Sequence, residues 1–371
     1  MEVKISREEL LKSVSRVQSI VERRSNMPIL STILLTADGG TLCLSATDLE
    51  IGFQETLEGK IEAEGSVAVS GRKLFEILKE SKGSFFHIKE KENNWVFITD
   101  GGARFDLACL AADEYPTFVE PEGAVMVEVE GDVLAEMVEK TIYAVTAEEA
   151  GFKLSGVFAE NVDVEGKKLL RMVSTDGHRL AMIDKAVERV ESLNISSGVM
   201  IPKKGMNELS KFASEGGPVQ IGFKEKSCIV KKENALLVMR LLEAKFPDYH
   251  AVIPKEEKFK LELNRIGFLE AMRKMLILSS DRYRAVKITL DNNKMELLST
   301  NPDIGEAQEK IDIEYKGERL EAGFNPRYFI DVLNVMESDI VTLGFVDNSK
   351  PCILKGEADE GFLGLIMPMR V

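Results

Sequence analysis

The stretch LLRMVSTDGHRL, Leu169–Leu180, decides the fold because it occurs in weaker form twice more along the chain. It has the apolar run of a strand followed by the polar residues of a turn. The two echoes are LCLSATDL, Leu42–Leu49, and MELLSTNP, Met295–Pro302, whose serines lie 129 residues before and 125 residues after Ser174. A period of this length predicts three copies of one domain of roughly 125 residues each.

Two further sets of segments repeat at a similar spacing. One set joins a bulky apolar residue to proline, and its members are Tyr115–Pro116, Phe246–Pro247 and Met367–Pro368. The other set marks a strand that leads into a helix, and its members are Val69–Lys73, Ile201–Gly205 and Phe324–Arg327. Because three signals recur in the same order, the sequence predicts domains at 1–122, 123–256 and 257–371. The boundaries fall in the segments Glu120–Gly123 and Pro254–Glu257.

Each third has the pattern of two strand–helix–strands units, with two helices and about eight short strands. This predicts an α+β fold in which both helices pack on one face of curved antiparallel sheets. The helices are predicted at 7–21, 71–80, 132–145, 203–212, 264–278 and 326–336. Ser6 and Glu9 form a candidate capping box for the first helix, and Asn325 with Pro326 forms a good start for the last.

The composition is that of a globular protein. The chain has 371 residues, 44% of them hydrophobic, so each third can bury a stable core without disulfides or a structural metal. The four cysteines are far apart and form no CxxC pair, which predicts reduced thiols in a cytosolic protein. Met1–Ile5 has a strand pattern rather than that of a signal peptide, and no apolar run approaches the length of a membrane span.

Several motifs carry a family resemblance, and they are Thr175–Leu180, Phe246–Tyr249, Gly323–Asn325, Met367–Arg370 and Met27–Leu30. By these motifs the whole chain resembles the bacterial sliding clamps, the β subunits of DNA polymerase III. The resemblance implies a head-to-tail homodimer closed into a ring, with helices inside and sheets outside. Duplex DNA of any sequence would pass through the ring.

The same resemblance implies a cytoplasmic processivity factor that catalyses nothing and needs no cofactor or metal. Its expected partners are the DNA polymerase III catalytic subunit, the clamp loader and other proteins that carry a clamp-binding motif. No membrane partner is expected.

The net charge of −14 conflicts with a nucleic-acid partner, because phosphate binding usually needs a basic surface. The six predicted helices, however, carry fourteen basic and ten acidic residues, whereas the chain as a whole has 48 and 62. A basic lining inside an acidic wall would favour DNA in the hole. The alternative is that lysine and arginine are simply good surface helix formers.

The DNA-binding candidates are basic residues that can reach phosphates without reading bases. They are Arg24, Arg72, Lys73, Lys203, Lys204, Arg273, Lys274 and Arg327. Arg24 matches a family position on a loop that faces DNA, and the others follow from helix placement.

The resemblance also implies a pocket between the second and third domains that accepts a short, partly apolar peptide. By motif matching its walls are Leu154, Thr175, Gly177, His178, Arg179, Leu180, Pro247, Val252, Tyr328, Leu365, Met367, Pro368, Met369 and Arg370. The apolar members supply an adaptable cleft, and His178, Arg179 and Arg370 can anchor peptide carbonyls or a carboxylate. The alternative for Leu365 and Met367 is ordinary core packing of a last strand.

The dimer contact implied by the family joins the first domain of one chain to the third domain of the other. Edge strands near Arg104–Leu110 and Tyr283–Leu290 are expected to pair, since an unpaired edge is a liability. Phe105, Leu107, Ile277 and Leu278 are expected to pack beside them. The alternative is that Ile277 and Leu278 belong to an internal core.

Two other function classes compete. A hydrolase or metalloenzyme could use Asp176, His178 and Arg179, but the three histidines have no metal-ligand spacing. Neither a GxSxG elbow nor a phosphate-binding loop is present, and Asp–Gly–His is an ordinary turn. A β-rich scaffold that binds peptides and never meets DNA would share the pocket but lack the ring.

Overall fold

One order of elements occurs three times along the chain: a strand, a helix, four strands, a second helix and three strands. The computed structural model describes residues 1–21, 26–116, 120–146, 155–279 and 284–370. Its α-helices within these ranges are α1 (Arg7–Arg16), α2 (Gly71–Glu80), α3 (Gly131–Ile142), α4 (Lys203–Ala213), α5 (Arg265–Leu276) and α6 (Pro326–Val335). The predicted pair of strand–helix–strands units in each third is confirmed.

Eight strands lie in each third of the described chain. Those of the first third are β1 (Glu2–Ser6), β2 (Thr32–Asp38), β3 (Thr41–Thr47), β4 (Ile51–Ala63), β5 (Gly65–Ser70), β6 (Phe85–Lys91), β7 (Trp95–Thr99) and β8 (Arg104–Ala108). Those of the second are β9 (Met126–Glu130), β10 (Gly156–Val164), β11 (Lys167–Thr175), β12 (Arg179–Ala186), β13 (Val199–Pro202), β14 (Pro218–Lys224), β15 (Ser227–Lys232) and β16 (Ala235–Arg240). Those of the third are β17 (Phe259–Asn264), β18 (Val286–Asp291), β19 (Lys294–Asn301), β20 (Gly305–Asp312), β21 (Leu320–Phe324), β22 (Ile340–Phe345), β23 (Cys352–Gly356) and β24 (Phe362–Ile366).

The repeated stretch occupies the same place in each third, as β3, β11 and β19. Each of these is the second strand after the first helix of its third. In β11 every residue from Leu170 to Thr175 is buried, so both faces of the strand are covered. A continuous apolar run, rather than strict alternation, is what such a strand requires.

The contacts divide the chain into two units. One unit comprises Met1–Asp132, Ser192–Asn194 and Asn207–Leu241. Its twelve-stranded antiparallel sheet runs β8-β7-β6-β1-β4-β16-β15-β14-β9, and β2, β3 and β5 branch from β4. Helices α1 and α2 pack against each other, and Leu10, Val14, Leu74 and Leu78 on their inner faces are fully buried.

The other unit comprises Val133–Glu191, Ile195–Met206 and Leu242–Val371. It contains an eight-stranded antiparallel sheet in the order β13-β10-β11-β12-β24-β23-β22-β17, and a four-stranded sheet in the order β20-β19-β18-β21. Helices α5 and α6 pack against each other, and the rings of Phe268 and Phe329 meet edge to face with centroids 5.5 Å apart. This division groups strands that share a sheet, so the proposed boundaries near 122 and 256 stay predictions.

The first helix differs most from expectation, in its end and in its cap. Helix α1 ends at Arg16 rather than near Val21, although Val17, Ile20 and Val21 are still buried. The capping box is wrong, because Ser6 holds the N-cap position without a side-chain hydrogen bond. The backbone N–H of Arg7 donates instead to the carbonyl of Ser84 at 2.9 Å. The start of α6 is confirmed, because Asn325 Oδ1 accepts from the N–H of Arg327 at 3.0 Å and Pro326 follows the cap.

Candidate functional site

The turn between β11 and β12 is held by its own side chains. Thr175 Oγ1 donates to the carbonyl of Arg179 at 2.6 Å and accepts from the N–H of Gly177 at 3.0 Å. Asp176 Oδ1 accepts from the N–H groups of His178 and Arg179 at 3.0 and 3.1 Å. Gly177 has a φ of +85°, which favours glycine. The sequence Thr-Asp-Gly therefore builds a rigid turn that leaves the side chain of His178 exposed.

The C-terminal tail crosses this turn. Strand β24 pairs with β12 in a register that places Leu365 opposite Leu180. Beyond the strand, the N–H of Met367 donates to the carbonyl of His178 at 2.8 Å, and the N–H of Met369 donates to the carbonyl of Gly323 at 2.7 Å. The tail therefore joins the end of β21 to the turn after β11, two segments that lie far apart in the sequence.

An apolar cluster lies beneath the tail. Its buried members are Val173, Leu180, Met200, Phe246, Tyr249, Ile353, Leu363 and Leu365, and Met367 and Ile253 pack against it. Leu180 and Leu365 are thus core residues, as the alternative reading of Leu365 supposed. Met367 and Pro368 are half-buried, whereas Pro247, Val252, Met369 and Arg370 are exposed. The ring of Tyr328 stacks on that of His178 at a centroid distance of 6.4 Å.

Most of the predicted pocket residues therefore lie in one connected region of one unit. Thr175, Gly177, His178, Leu180, Leu365 and Met367 are joined by the turn, by β12–β24 pairing and by the tail. Leu154 lies outside the described residues. The region combines a buried apolar cluster, an exposed histidine and two methionines, one half-buried and one exposed. These are the features of a site for a short amphipathic ligand.

Arg179 is tied into the fold by three hydrogen bonds. Its Nε donates to Asp176 Oδ2 at 3.0 Å, and its Nη2 donates to the carbonyl of Tyr143 at 2.7 Å. Its Nη1 donates to Asp331 on α6, and its guanidinium lies 4.7 Å from the ring centroid of Tyr328. Burial alone would lower the pKa of Arg179, but Asp331 and Asp176 raise it above the usual value. Three of the five N–H groups of Arg179 are thus used within the fold, so Arg179 is a structural tie, and its role as an anchor for peptide carbonyls stays a prediction.

Asp176, His178 and Arg179 do not form a catalytic group. Both oxygens of Asp176 accept hydrogen bonds from its own turn. The guanidinium of Arg179 is directed to carboxylates and a carbonyl. The three residues therefore stabilise a turn, as expected if Asp–Gly–His is an ordinary turn sequence.

The DNA-binding candidates that the structure describes are exposed or half-buried helix residues. Arg72 and Lys73 at the start of α2 both pair with Glu76, at 2.8 and 2.7 Å. Near the end of α5, Lys274 pairs with Glu309 at 2.7 Å and Arg273 donates to Asn334 at 3.1 Å. Lys203, Lys204 and Arg327 lie in the first turns of α4 and α6. Arg24 lies outside the described residues.

The basic residues on the helices do not all face solvent. Lys140 on α3 is buried, and Arg16 on α1 pairs with Glu55 and Glu215. Arg7 and Arg265 donate to backbone carbonyls of Leu78 and Ser338 at 2.7 and 2.9 Å. The count of fourteen basic residues therefore overstates the charge available to a ligand, because these four hold the fold together.

The candidate interface residues include one strongly exposed side chain. Ile277, directly after α5, is 76% exposed, so it is not part of an internal core. Leu278 is half-buried, as are Phe105 and Leu107 on β8. Strand β8 is the edge of its sheet, as predicted.

The prediction that the strand near Tyr283–Leu290 is an edge strand is wrong. Strand β18 lies between β19 and β21 and pairs with both, so its backbone has no free side. The edges of that four-stranded sheet are β20 and β21. Tyr283 lies outside the described residues.

One group of side chains has metal-ligand character. Glu2 on β1, Glu62 on β4 and His87 on β6 bring one ligand atom each within 4.8 Å of one another. Lys89 lies 2.9 Å from Glu2 and Lys4 lies 3.1 Å from Glu62, and these hydrogen bonds lower the pKa of both carboxyl groups. A divalent cation would have to displace both ammonium groups, so the arrangement is an ion-pair network across three strands.

None of the helices in the described part of the chain has the length and apolar character that a membrane span requires.

Three family models match consecutive parts of the chain. The N-terminal domain of the DNA polymerase III beta subunit matches residues 1–119, the central domain matches 128–248 and the C-terminal domain matches 250–370. Among curated relatives, the beta sliding clamp of Pseudomonas putida is 32% identical over 374 residues, and that of Caulobacter vibrioides is 30% identical. Both alignments cover the whole of each chain.

Solved structures give the same result. The DNA polymerase sliding clamp from Caulobacter crescentus matches with a TM-score of 0.93 at 30% identity, over all of both chains. A DnaN sliding clamp (DNA polymerase III subunit beta) from Bartonella birtlesii, bound to griselimycin, matches with a TM-score of 0.94 at 32% identity, again over all of both chains.

Proposed function

The chain belongs to the DNA polymerase III beta-subunit family, and from this membership we infer that it is a sliding clamp that holds replication proteins on duplex DNA. It is a non-catalytic processivity subunit of a DNA polymerase. The observation that carries this function is the match of all three family domains, in order and over the full length, to clamps of known structure. Its partners are duplex DNA, the polymerase III catalytic subunit, the clamp loader and other proteins with a clamp-binding motif.

We propose three domains, 1–122, 123–256 and 257–371. The first boundary falls between the first two family matches, and the third match begins at residue 250, slightly before the second boundary.

We propose that partners bind at the region where the C-terminal tail crosses the turn after β11. Thr175, Gly177, His178, Leu180, Leu365 and Met367 form its connected part. Pro247, Val252, Tyr328, Pro368, Met369 and Arg370 extend it, and Leu154 is expected to complete it. His178, Arg179 and Arg370 are the candidate anchors for polar groups of a partner, and Arg179 also bonds to Asp176 and Asp331.

The tail supplies the test of this site. Deletion of Met367–Val371 removes both tail hydrogen bonds and the Met367 side chain, so binding of a peptide that carries a clamp-binding motif should be lost. The solution mass should not change, because the proposed dimer contact lies elsewhere. Peptide affinity that survives the deletion would locate the partner site in another part of the chain.

We propose that two chains close into a ring through the free edges of two sheets. Strand β8 is one such edge, and β20 replaces β18 as its partner, because β20 has an unpaired side. Phe105 and Leu107 alternate with exposed residues along β8. Ile277 and Leu278 follow α5, and Asn301 at the end of β19 donates to the carbonyl of Leu278 at 2.9 Å, which fixes this segment beside the β19–β20 hairpin. A dimer of this kind has twice the chain mass of 41.3 kDa.

DNA retention is expected to come from closure and from phosphate contacts that carry no base information. The candidates are Arg24, Arg72, Lys73, Lys203, Lys204, Arg273, Lys274 and Arg327. The protein works in the cytoplasm in this proposal, which agrees with its four free cysteines.

The decisive experiment uses DNA topology. Labelled protein is loaded onto nicked circular DNA by a clamp loader, and the DNA is then cut once. A closed ring stays on the circle and slides off the cut molecule. Equal retention before and after cutting would mean that the protein binds DNA without encircling it, and no retention on the circle would support the peptide-binding scaffold.

A further inference from the structure

A buried polar network joins the apolar cluster at Tyr249. Arg171 on β11 is 9% exposed, and its guanidinium makes two hydrogen bonds to Asp184 on β12, at 2.7 and 2.6 Å. Its third bond, at 3.1 Å, goes to the hydroxyl oxygen of Tyr249. The hydrogen bonds to Asp184 raise the pKa of Arg171 above its usual value, although burial opposes this. Arg171 is therefore a permanent cation in the interior, and only hydrogen-bond partners make that tolerable.

Tyr249 uses its hydroxyl group twice. The oxygen accepts from Arg171, and the O–H donates to the carboxylate of Glu160 on β10. Burial raises the pKa of Tyr249, and the bond to Glu160 adds to this, so the phenol stays protonated at neutral pH. The hydroxyl is thus fixed between two charged partners, and hydrogen bonds to charged groups are stronger than neutral ones.

This network anchors a segment with little regular structure. Residues 241–248 lie outside any helix or strand, and Tyr249–Val252 form a single turn of 3-10 helix. The ring of Tyr249 meets those of Phe246 and Phe158 at centroid distances of 6.2 and 6.4 Å. Pro247 and Val252 lie on either side of Tyr249 in the sequence. Both are exposed, and neither side chain can make a hydrogen bond that would fix its position.

We propose that Arg171 and Tyr249 are positioning residues that set the height and rigidity of the wall formed by Pro247 and Val252. The inference rests on the pocket proposed above and deepens it. Aromatic rings packed on apolar groups can shift with little loss of contact energy, because such contacts are not directional. A hydroxyl group that bonds to both a guanidinium and a carboxylate is restricted to one position. A ligand that meets a fixed wall does not have to order it, so loss of the anchor should appear as loss of affinity.

Tyr249→Phe is the sharpest variant, because it removes one oxygen and keeps the ring. Arg171 keeps both bonds to Asp184, so the core should stay folded. A peptide that carries a clamp-binding motif serves as the ligand, and its dissociation constant is measured by calorimetry on the full chain. We expect an increase of about ten-fold, equivalent to about 1.4 kcal/mol. Arg171→Lys, which keeps the charge and loses the fork, should have a similar effect, and the double variant should be little worse than either single variant because both break one link.

Tyr115→Phe is the matched control. Tyr115 precedes Pro116 as Phe246 precedes Pro247, and its buried hydroxyl bonds to the carbonyls of Thr32 and Ser45 at 3.4 and 3.3 Å, in the other unit. It should lower the melting temperature, by less than Tyr249→Phe because its partners are neutral, and leave the dissociation constant unchanged. A purely structural role for Tyr249 would leave the dissociation constant unchanged in both variants.

The outcomes separate the two proposals. If deletion of Met367–Val371 leaves binding of the peptide intact, the proposed pocket is wrong and the positioning role falls with it. If the deletion abolishes binding while Tyr249→Phe and Arg171→Lys bind like the wild type, the pocket stands and the positioning role is overturned. Should Tyr249→Phe fail to fold, Arg171→Lys decides the same question.

Discussion

Lys140 on α3 and Asp359, in the turn before β24, form an ion pair 2.8 Å long in which the side chains are only 2% and 0% exposed. Asp359 also accepts from the N–H groups of Glu337 and Ser338 at 3.0 and 3.1 Å, and Lys140 has a second partner in Glu136 at 2.7 Å. Removing two charges from water costs much free energy, so an intact buried pair adds little net stability. Loss of one member is strongly destabilising, because the other charge is left buried without its partner.

Asp359→Asn should therefore lower the free energy of unfolding by about 3 kcal/mol or more, since it leaves the Lys140 charge buried with only Glu136 as a partner. Urea denaturation measures this. Asp163→Asn removes the exposed pair with Lys168, also 2.8 Å long, and should cost less than about 1 kcal/mol. Equal losses in the two variants would mean that burial does not govern the value of these pairs.

The stabilising effect of the pair should depend on pH in a defined window. Burial would raise the pKa of Asp359, but Lys140 and Ser338 lower it below the ordinary 3.8, so its contribution is present above that pH and is lost on further acidification. Burial would lower the pKa of Lys140, but Asp359 and Glu136 raise it above 10.5, so its contribution is lost only as the pH rises beyond that value. The stability difference between wild type and Asp359→Asn should be a plateau between these limits, and a peak near pH 7 would contradict this.

Arg179→Gln should destabilise the fold as well as weaken partner binding. The change leaves Asp176 and Asp331 without their cation, and a loss of about 2–4 kcal/mol is expected from a largely buried charged network. Chemical denaturation should show the loss clearly. His178→Ala, next in sequence and exposed, should change the unfolding free energy by less than about 0.5 kcal/mol. If Arg179→Gln proves as stable as His178→Ala, the bonds of Arg179 to Asp176 and Asp331 do not hold the fold together.

Ile277→Asp should convert the dimer to a chain of 41.3 kDa while the unfolding of each chain changes little. The reason is that Ile277 is exposed in the single chain and would be buried only by a second copy. Sedimentation velocity gives the mass. Ile340→Asp, at an exposed position on β22, should leave the dimer intact. A dimer that survives Ile277→Asp would remove this residue from the interface.

Glu76→Gln should strengthen retention on DNA. The carboxylate pairs with both Arg72 and Lys73, so its removal frees two cations for phosphates. A few-fold gain is expected at low salt, and it should vanish as salt screens the contacts. Glu128→Gln makes the same change in net charge on an exposed position of β9. If Glu128→Gln gives the same gain, only the total charge matters and α2 has no special part in binding.

The repeat made the architecture predictable from the sequence. The expected starts of the six helices lie within a residue or so of those observed, because strand patterns, caps and prolines mark them locally. The end of α1 was harder. Val17, Ile20 and Val21 continue the apolar spacing of the helix, but the segment of serines and β-branched residues around them leaves the helix after Arg16 while still burying these side chains.

Long-range relations were beyond the sequence. Whether β18 or β20 is an edge depends on which strand comes to pair with it, and no local pattern records that. The bonds of Arg179 to Asp331 and Tyr143 could not be predicted either, because an arginine near a turn has the same local sequence whether its partner is a ligand or a distant carboxylate. Arg171 and Asp359 gave no signal at all, since each is one charged residue whose partners are brought by the fold.

The eight-stranded sheet joins β12 to β24, and the twelve-stranded sheet joins β16 to β4. The middle third of the chain thus completes neither sheet from its own strands, and if excised it would expose two long bare edges and tend to aggregate. During translation β12 must wait for roughly 180 further residues before β24 is made. At usual rates of synthesis that is a delay of about 10–35 seconds. During this time the unpaired edge of β12 must not pair with a non-native strand.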